Sequence, residues 1–326
     1  YLESAKKGDS IAQYQLGYYY QYVVKDCAKA FIWYSKSANN GHAESQNNLG
    51  FCYEKGFGTD KNYDKAFEWY SISANNGCAL GQNNLGQCYK YGRGVTQDYE
   101  KAFEWYSKSA NNGYALGQNN LGECYENGNF VAQNYEKAFE WYYKSANNGY
   151  AEGQNNLGLC YEFGTGTTRN YNKAFEWYSK SANSGFSFGQ NNLGQCYEYG
   201  RGVVHDFEKA FEWYSKSANN ECAAGQNNLG DCYYYGCGII QDYEKAFEWY
   251  SKSANNGHAL GQNNLGQCYE YGRGVIQDYE KAFEWYSKSA NNGCVEGQNN
   301  LGICYNNGIG TSVNVQEAII WYQMAS

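Results

Sequence analysis

Tryptophan recurs at Trp33, Trp69, Trp105, Trp141, Trp177, Trp213, Trp249, Trp285 and Trp321, and every interval is 36 residues. A single closed core has no reason to space its largest side chain so evenly. A fixed period of this length marks one supersecondary unit copied along the chain, each copy burying its apolar face against its neighbours. Two other columns keep the period: Cys52, Cys88, Cys124, Cys160, Cys196, Cys232, Cys268 and Cys304, and Leu49, Leu85, Leu121, Leu157, Leu193, Leu229, Leu265 and Leu301. In the first copy Leu16 lies 17 residues before Trp33, where later copies use 20, so its inter-helix loop is three residues shorter. Residues 77–112 and 257–292 differ only at Cys78/His258, Lys90/Glu270 and Thr96/Ile276. Such sameness reflects duplication and says little about function.

The period outranks the length prior, which would divide 326 residues into two domains. One elongated array is expected. A net charge of −8 argues against a nucleic-acid surface, which needs a basic stripe. No apolar run approaches the roughly 18 residues that cross a bilayer. With 19% aromatic residues, the core must draw on Tyr, Phe and Trp, whose polar tips can reach the surface. Proline is absent, so nothing breaks the helical pattern.

Eight of the 13 cysteines share one column, one per copy. Equivalent positions in adjacent helix pairs stand on the order of 10 Å apart, beyond the ~7 Å Cα separation that a disulfide tolerates. Free, mostly buried thiols follow, and with them a reducing compartment, the cytoplasm. The absence of any Asn-x-Ser/Thr sequence agrees.

In the copy that begins at Ala79, the first half reads ALGQNNLGQCYKYG. At 100° per residue, Gly81, Gln82, Leu85, Gly86, Cys88 and Tyr89 share one side, and Leu80, Asn83, Asn84, Gln87, Lys90 and Tyr91 the other. This is an amphipathic helix of about 13 residues. Gly81 and Gly86 admit a close neighbour, and Gly92 and Gly94 form the turn that ends the helix. A phosphate loop is excluded there, because no strand precedes it and no Lys-Ser/Thr follows. The second half reads DYEKAFEWYSKSANNG. Asp98 caps it, and Tyr99, Ala102, Tyr106 and Ala110 form the buried stripe, flanked by Phe103 and Trp105. Glu100, Glu104 and Lys108 face water.

Ala79, Leu85, Gly86, Tyr89, Gly92, Gly94, Val95, Asp98, Lys101, Ala102, Trp105, Tyr106 and Ala110 together resemble the Sel-1-like repeat (SLR), a relative of the tetratricopeptide repeat. Ser109 stands where that family often has alanine. The resemblance covers nearly the whole chain, as nine repeats over residues 11–326 with the last truncated. It implies an all-α, right-handed α-solenoid, with first helices on the concave side and second helices on the convex side. It also implies adaptor or scaffold roles in signalling and complex assembly. A second cysteine per repeat, found in some secreted members, is missing here, as Ser107, Ser109 and Ala110 show. Residues 1–10 align with the end of a preceding repeat's second helix, so the sequence reads as a fragment of something longer. Apolar groups at Leu2 and Trp321 then raise end-to-end self-association.

The expected function is non-enzymatic: a peptide or protein bound in the concave groove. One candidate column is Asn47, Asn83, Asn119, Asn155, Asn191, Asn227, Asn263 and Asn299. A side-chain amide there either holds a peptide backbone or hydrogen-bonds between repeats and sets their twist; Asn48, Asn84 and Asn120 suit the second role better. Gln87, Gln195 and Gln267 lie beside this column. Glu54, Glu126, Glu162, Glu198 and Glu270 form an acidic row, with Tyr91, Phe163, Tyr199, Tyr235 and Tyr271 next to it. A basic, partly aromatic peptide fits by charge and stacking. The alternative is a regulatory or localising arm of a larger enzyme, for example a kinase. Catalysis within these residues is not expected. There is no Ser-His-Asp set or metal cluster, and the three histidines (His42, His205, His258) are scattered. No cofactor is implied.

Overall fold

A computed structural model describes residues 2–128 and 130–326. Among these residues the protein is all-α. After α1 (Leu2–Lys6) come the pairs α2 (Ser10–Tyr19) with α3 (Cys27–Asn39), α4 (Ala43–Lys55) with α5 (Tyr63–Asn75), α6 (Ala79–Tyr91) with α7 (Tyr99–Asn111), and α8 (Ala115–Asn127) with α9 (Tyr135–Asn147). Then follow α10 (Ala151–Phe163) and α11 (Tyr171–Asn183), and the pairs α12 (Ser187–Tyr199) with α13 (Phe207–Asn219) and α14 (Ala223–Tyr235) with α15 (Tyr243–Asn255). The last pairs are α16 (Ala259–Tyr271) with α17 (Tyr279–Asn291) and α18 (Val295–Asn307) with α19 (Val315–Met324). The packing divides the chain into two compact units, Tyr1–Thr168 and Arg169–Ser326.

Local chemistry sets the helix ends. Asp98 caps α7 by accepting from the Lys101 N–H at 3.0 Å. Asn62, Asn134, Asp206, Asp242 and Asp278 do the same for their helices. The Asp98 carboxyl sits below its ordinary pKa because that backbone N–H favours the charged form. The α6 helix stops at Gly92, whose φ of +66° is the left-handed region open to glycine. Gly94 then runs against the Tyr63 carbonyl at the start of the preceding second helix, where a Cβ would collide.

The first copy closes its shorter connection differently. Its helix runs on as a π-helical turn, Tyr20–Val24, and reverses at Lys25, which takes φ +60° without being glycine. Three missing residues leave no room for the Gly-x-Gly loop, and the helix end absorbs the difference.

The cores lie at the junctions between helix pairs. In the first unit Ala66, Tyr70 and Ala74 of α5 meet Leu85 and Cys88 of α6, with Trp105 packed on the same cluster. In the second unit Ala210, Tyr214 and Ala218 of α13 meet Leu229 and Cys232 of α14, with Trp249 against them. Each buried cluster therefore draws on two neighbouring copies, which is what the period implies. Each junction adds an edge-to-face aromatic contact, Phe67 on Tyr89 at 5.5 Å and Phe211 on Tyr233 at 5.5 Å. All thirteen cysteines are free, and the eight of the regular column are buried. Burial pushes the Cys88 thiol up to about 12, so it stays protonated and unreactive.

Two expectations about the second helix change. Tyr99 is exposed, not part of the buried stripe, because it sits in the first turn, where its hydroxyl accepts from Gln97 Nε2 at 2.9 Å. Ser109 takes the buried place instead: with no exposed surface, it donates its hydroxyl to the Ala79 carbonyl at 2.7 Å. This satisfies a polar group that burial would otherwise orphan. The α1 helix meets α2 through Gln13 Nε2, which donates to the Ala5 carbonyl at 2.9 Å; Gln46 makes the same bond to Ala38 at 3.2 Å.

Within each unit successive first helices touch directly, α4 to α6 to α8 and α12 to α14 to α16. The second helices make no comparable contact among the described residues. First helices therefore line the tighter side of each stack.

Candidate functional site

The face built by the first helices has a fixed layer beneath a variable one. The fixed layer is a ladder of asparagines. In the first unit Asn84 Nδ2 donates to Asn47 Oδ1 at 2.8 Å, Asn120 to Asn83 at 2.7 Å, and Asn156 to Asn119 at 3.0 Å. In the second unit Asn228 donates to Asn191 at 2.9 Å, Asn264 to Asn227 at 3.0 Å, and Asn300 to Asn263 at 2.8 Å. Asn47, Asn83, Asn119, Asn155, Asn191, Asn227 and Asn263 are buried, and only Asn299 of this column is exposed. The carbonyls of Asn47, Asn83, Asn119, Asn191, Asn227 and Asn263, expected to face a ligand, thus accept from the next repeat. A helical wheel cannot separate Asn83 from Asn84; the stacking of the next repeat does.

Above the ladder the acidic row is tied to the core. The buried Tyr70 hydroxyl donates to Glu54 at 2.8 Å and Tyr142 to Glu126 at 2.6 Å; Tyr214 donates to Glu198 and Tyr286 to Glu270. Burial, then the facing carboxylate, raises the pKa of each of these phenols, so they remain donors. Glu162 is buried. Glu54, Glu126, Glu198 and Glu270 keep part of their surface in solvent. The row is interrupted at Lys90, which pairs with Glu123 of the next repeat at 3.3 Å. It is interrupted again at Tyr234. There Tyr250 donates instead to Asp231 at 2.7 Å, from the column that holds Gln87, Gln195 and Gln267 elsewhere. Those three glutamines are half-buried.

Tyr91, Phe163, Tyr199, Tyr235 and Tyr271 are each more than half exposed. Loop arginines stack on them: Arg93 on Tyr91 at 4.9 Å, Arg201 on Tyr199 at 4.9 Å and Arg273 on Tyr271 at 5.4 Å. Arg93 also reaches back to Glu54 of the preceding repeat at 3.3 Å. Between Glu198 and Tyr235 the second unit opens a cavity of about 310 Å³, which Asp231 and Cys237 also line. Burial raises the Asp231 carboxyl to about 6. Sequence reasoning passed over Asp231, Tyr234 and the loop arginines. The available signal was three residues close together, Asp231, Tyr234 and Cys237, where the copies on either side both carry Gln, Glu and Arg.

Among the described residues no group of three or more His, Cys, Asp or Glu is placed to hold a metal ion. No helix there is long and apolar enough to cross a membrane.

Helix pairs sharing their cores across junctions define an α-solenoid repeat protein. The chain belongs to the Sel1 repeat family, whose repeat matches residues 10–42, 43–78, 79–114, 115–150, 151–186, 187–222, 223–258, 259–294 and 295–326. It is similar to a solved protective antigen of uropathogenic Escherichia coli strains displaying an SLR fold: 33% identical, TM-score 0.68, covering 99% of this chain and 78% of that one. A Sel1 repeat protein from Oxalobacter formigenes is 28% identical with TM-score 0.60, over 90% of this chain and 84% of that one. Among curated proteins, 64 residues are 41% identical to the ERAD-associated E3 ubiquitin-protein ligase component HRD3B of Arabidopsis thaliana. That match spans 18% of this chain and 9% of the relative.

Proposed function

We propose that the protein is a non-enzymatic scaffold that binds a peptide or protein partner on its first-helix face. One observation carries this reading: α7 and α15 are identical in sequence, whereas α6, α14 and the loops after them differ at the residues that reach the face. The architecture is common to protein-interaction scaffolds, and here the copying has spared the wall and varied the surface. Exposed tyrosines beside half-buried carboxylates suit a basic, partly aromatic segment. Of the amide columns, Gln87, Gln195 and Gln267 keep side-chain surface for a ligand, while the Asn47-to-Asn263 column serves the stacking. The cytoplasm, as a reducing compartment, suits the thirteen free thiols. A second reading, a localising arm of a larger assembly, draws on the stretch shared with a ubiquitin-ligase component.

Selection from a synthetic peptide library, followed by hydrogen-exchange footprinting of the complex, tests the reading. Protection is expected on the first helices and the loops that follow them. Protection confined to the exposed side of the second helices would overturn it.

A further inference from the structure

The loop arginines show what this face holds when it supplies its own cation. Arg93 stacks on Tyr91 two residues before it and pairs with Glu54, 39 residues before it in the preceding repeat. Glu54 is in turn fixed by the Tyr70 hydroxyl. Arg273 repeats the arrangement, stacking on Tyr271 at 5.4 Å and reaching the 39-back position, where Tyr234 replaces glutamate, at 5.0 Å. A guanidinium between a ring and the 39-back side chain thus occurs in two copies, whereas Phe57, Thr165 and Ile309 take its place in others.

Cys237 lies between copies that carry Arg201 and Arg273 at its position, and it has both partners of such a guanidinium but no guanidinium itself. Tyr235 stands two residues before, and Glu198, held by Tyr214, stands 39 before. Among the described residues no cation of the chain lies over Tyr235, whereas Arg201 already covers Tyr199. The space is open as the cavity of about 310 Å³. Asp231 adds a second carboxylate there, its oxygens fixed by Tyr250 at 2.7 Å and Asn227 at 3.0 Å. The acceptors are pre-positioned by buried donors, so a ligand need not order them.

We infer that this cavity takes the guanidinium of an arginine residue in the bound partner, in the place that Arg93 and Arg273 fill from within the chain. A planar fork with several N–H donors suits two fixed carboxylates and a ring face better than the compact ammonium of lysine. The inference rests on the groove reading only for the source of the arginine; the pocket itself rests on the repeat-to-repeat comparison.

The test uses the full chain and three probes: N-acetyl-arginine amide, N-acetyl-lysine amide and synthetic arginine-containing peptides. Binding is followed by calorimetry and by the alkylation rate of Cys237, with the labelled residue identified by peptide mapping. The arginine amide should bind, slow Cys237 alkylation, and exceed the lysine amide by about tenfold. Cys237→Arg, which restores a side chain the fold accepts at the same place in other repeats, should abolish binding with the helical signal unchanged. Tyr235→Ala, at an exposed position, should weaken it by about tenfold. No binding by the amide, equal binding by both amides, or undiminished binding to Cys237→Arg would each overturn the pocket. Arginine-containing peptides should bind and be displaced by the arginine amide. Peptides that bind without such competition refute the pocket and leave the groove reading standing. Amide binding without peptide binding refutes the peptide source.

Discussion

The repeats that begin at Ala79 and at Ala223 have the same second helix, residue for residue, and different first helices. In the first, Lys90 reverses the charge of the acidic row and Arg93 closes the loop onto Tyr91 and Glu54. In the second, Asp231 takes over the tyrosine contact, Tyr234 replaces the charge, and Cys237 leaves its neighbours uncovered. The two share one wall and present two surfaces. Identity between copies therefore follows the junction core, and departures from identity follow the face. In a duplicated array the second pattern carries more about function than the first.

If the walls are equivalent, Trp105→Ala and Trp249→Ala should destabilise their units alike. Both indoles are half-buried against the preceding junction core, so each loss should be about 2–4 kcal/mol. Denaturant unfolding checks this. Costs that differ severalfold would break the equivalence. A solenoid can also melt in parts once a junction is cut, so the transition should broaden.

The faces should differ with pH. The Asp231 carboxyl is raised from 3.8 to about 6 by burial, so its protonated form stabilises the fold. That contribution is complete below pH ~4 and is lost as pH rises through ~6, at most about 3 kcal/mol. Thermal midpoints of wild type and Asp231→Asn, compared from pH 4 to 7, should diverge over this window. Parallel curves would show that Asp231 titrates normally.

The buried tyrosines sharpen the same contrast. Tyr250→Phe removes a donor from a buried carboxylate and should cost about 1.5–3 kcal/mol. Tyr106→Phe, with no carboxylate bonded to its hydroxyl among the described residues, should cost less than about 1 kcal/mol. Unfolding midpoints give both values, and equal costs would remove Asp231 from its assigned place.

The smallest effect concerns a departure on the edge of the array. Glu221 takes φ +61° where Gly77, Gly113, Gly149, Gly185, Gly257 and Gly293 stand in other copies. Glu221→Gly should stabilise the second unit by ~1 kcal/mol, read from the same unfolding curves.

Much of this architecture was legible because it is local. The Asp98 cap, the turn at Gly92, the 13-residue helices and the buried cysteine column each depend on a few neighbouring residues. What was not legible depends on contacts between helices far apart in sequence. Tyr70 finds Glu54 across 16 residues, and Asn84 finds Asn47 across 37. A wheel drawn for one helix treats Asn83 and Asn84 as neighbours on one face, and only the stacked repeat decides which is buried. The cavity at Cys237 was hidden for another reason. Recurring columns mark what the copies share, and this site is made by what they do not.

On the proposed reading the first-helix face binds the partner and the second-helix face does not. Charge reversal tests it most directly, with Glu198→Lys on the first-helix face and Glu212→Lys on the exposed side of α13. The two variants carry the same net charge, so a non-specific electrostatic effect would move both together. Affinity for a library-selected basic peptide should fall by at least about tenfold with Glu198→Lys and stay within about twofold of wild type with Glu212→Lys. A loss caused by Glu212→Lys alone would contradict the account.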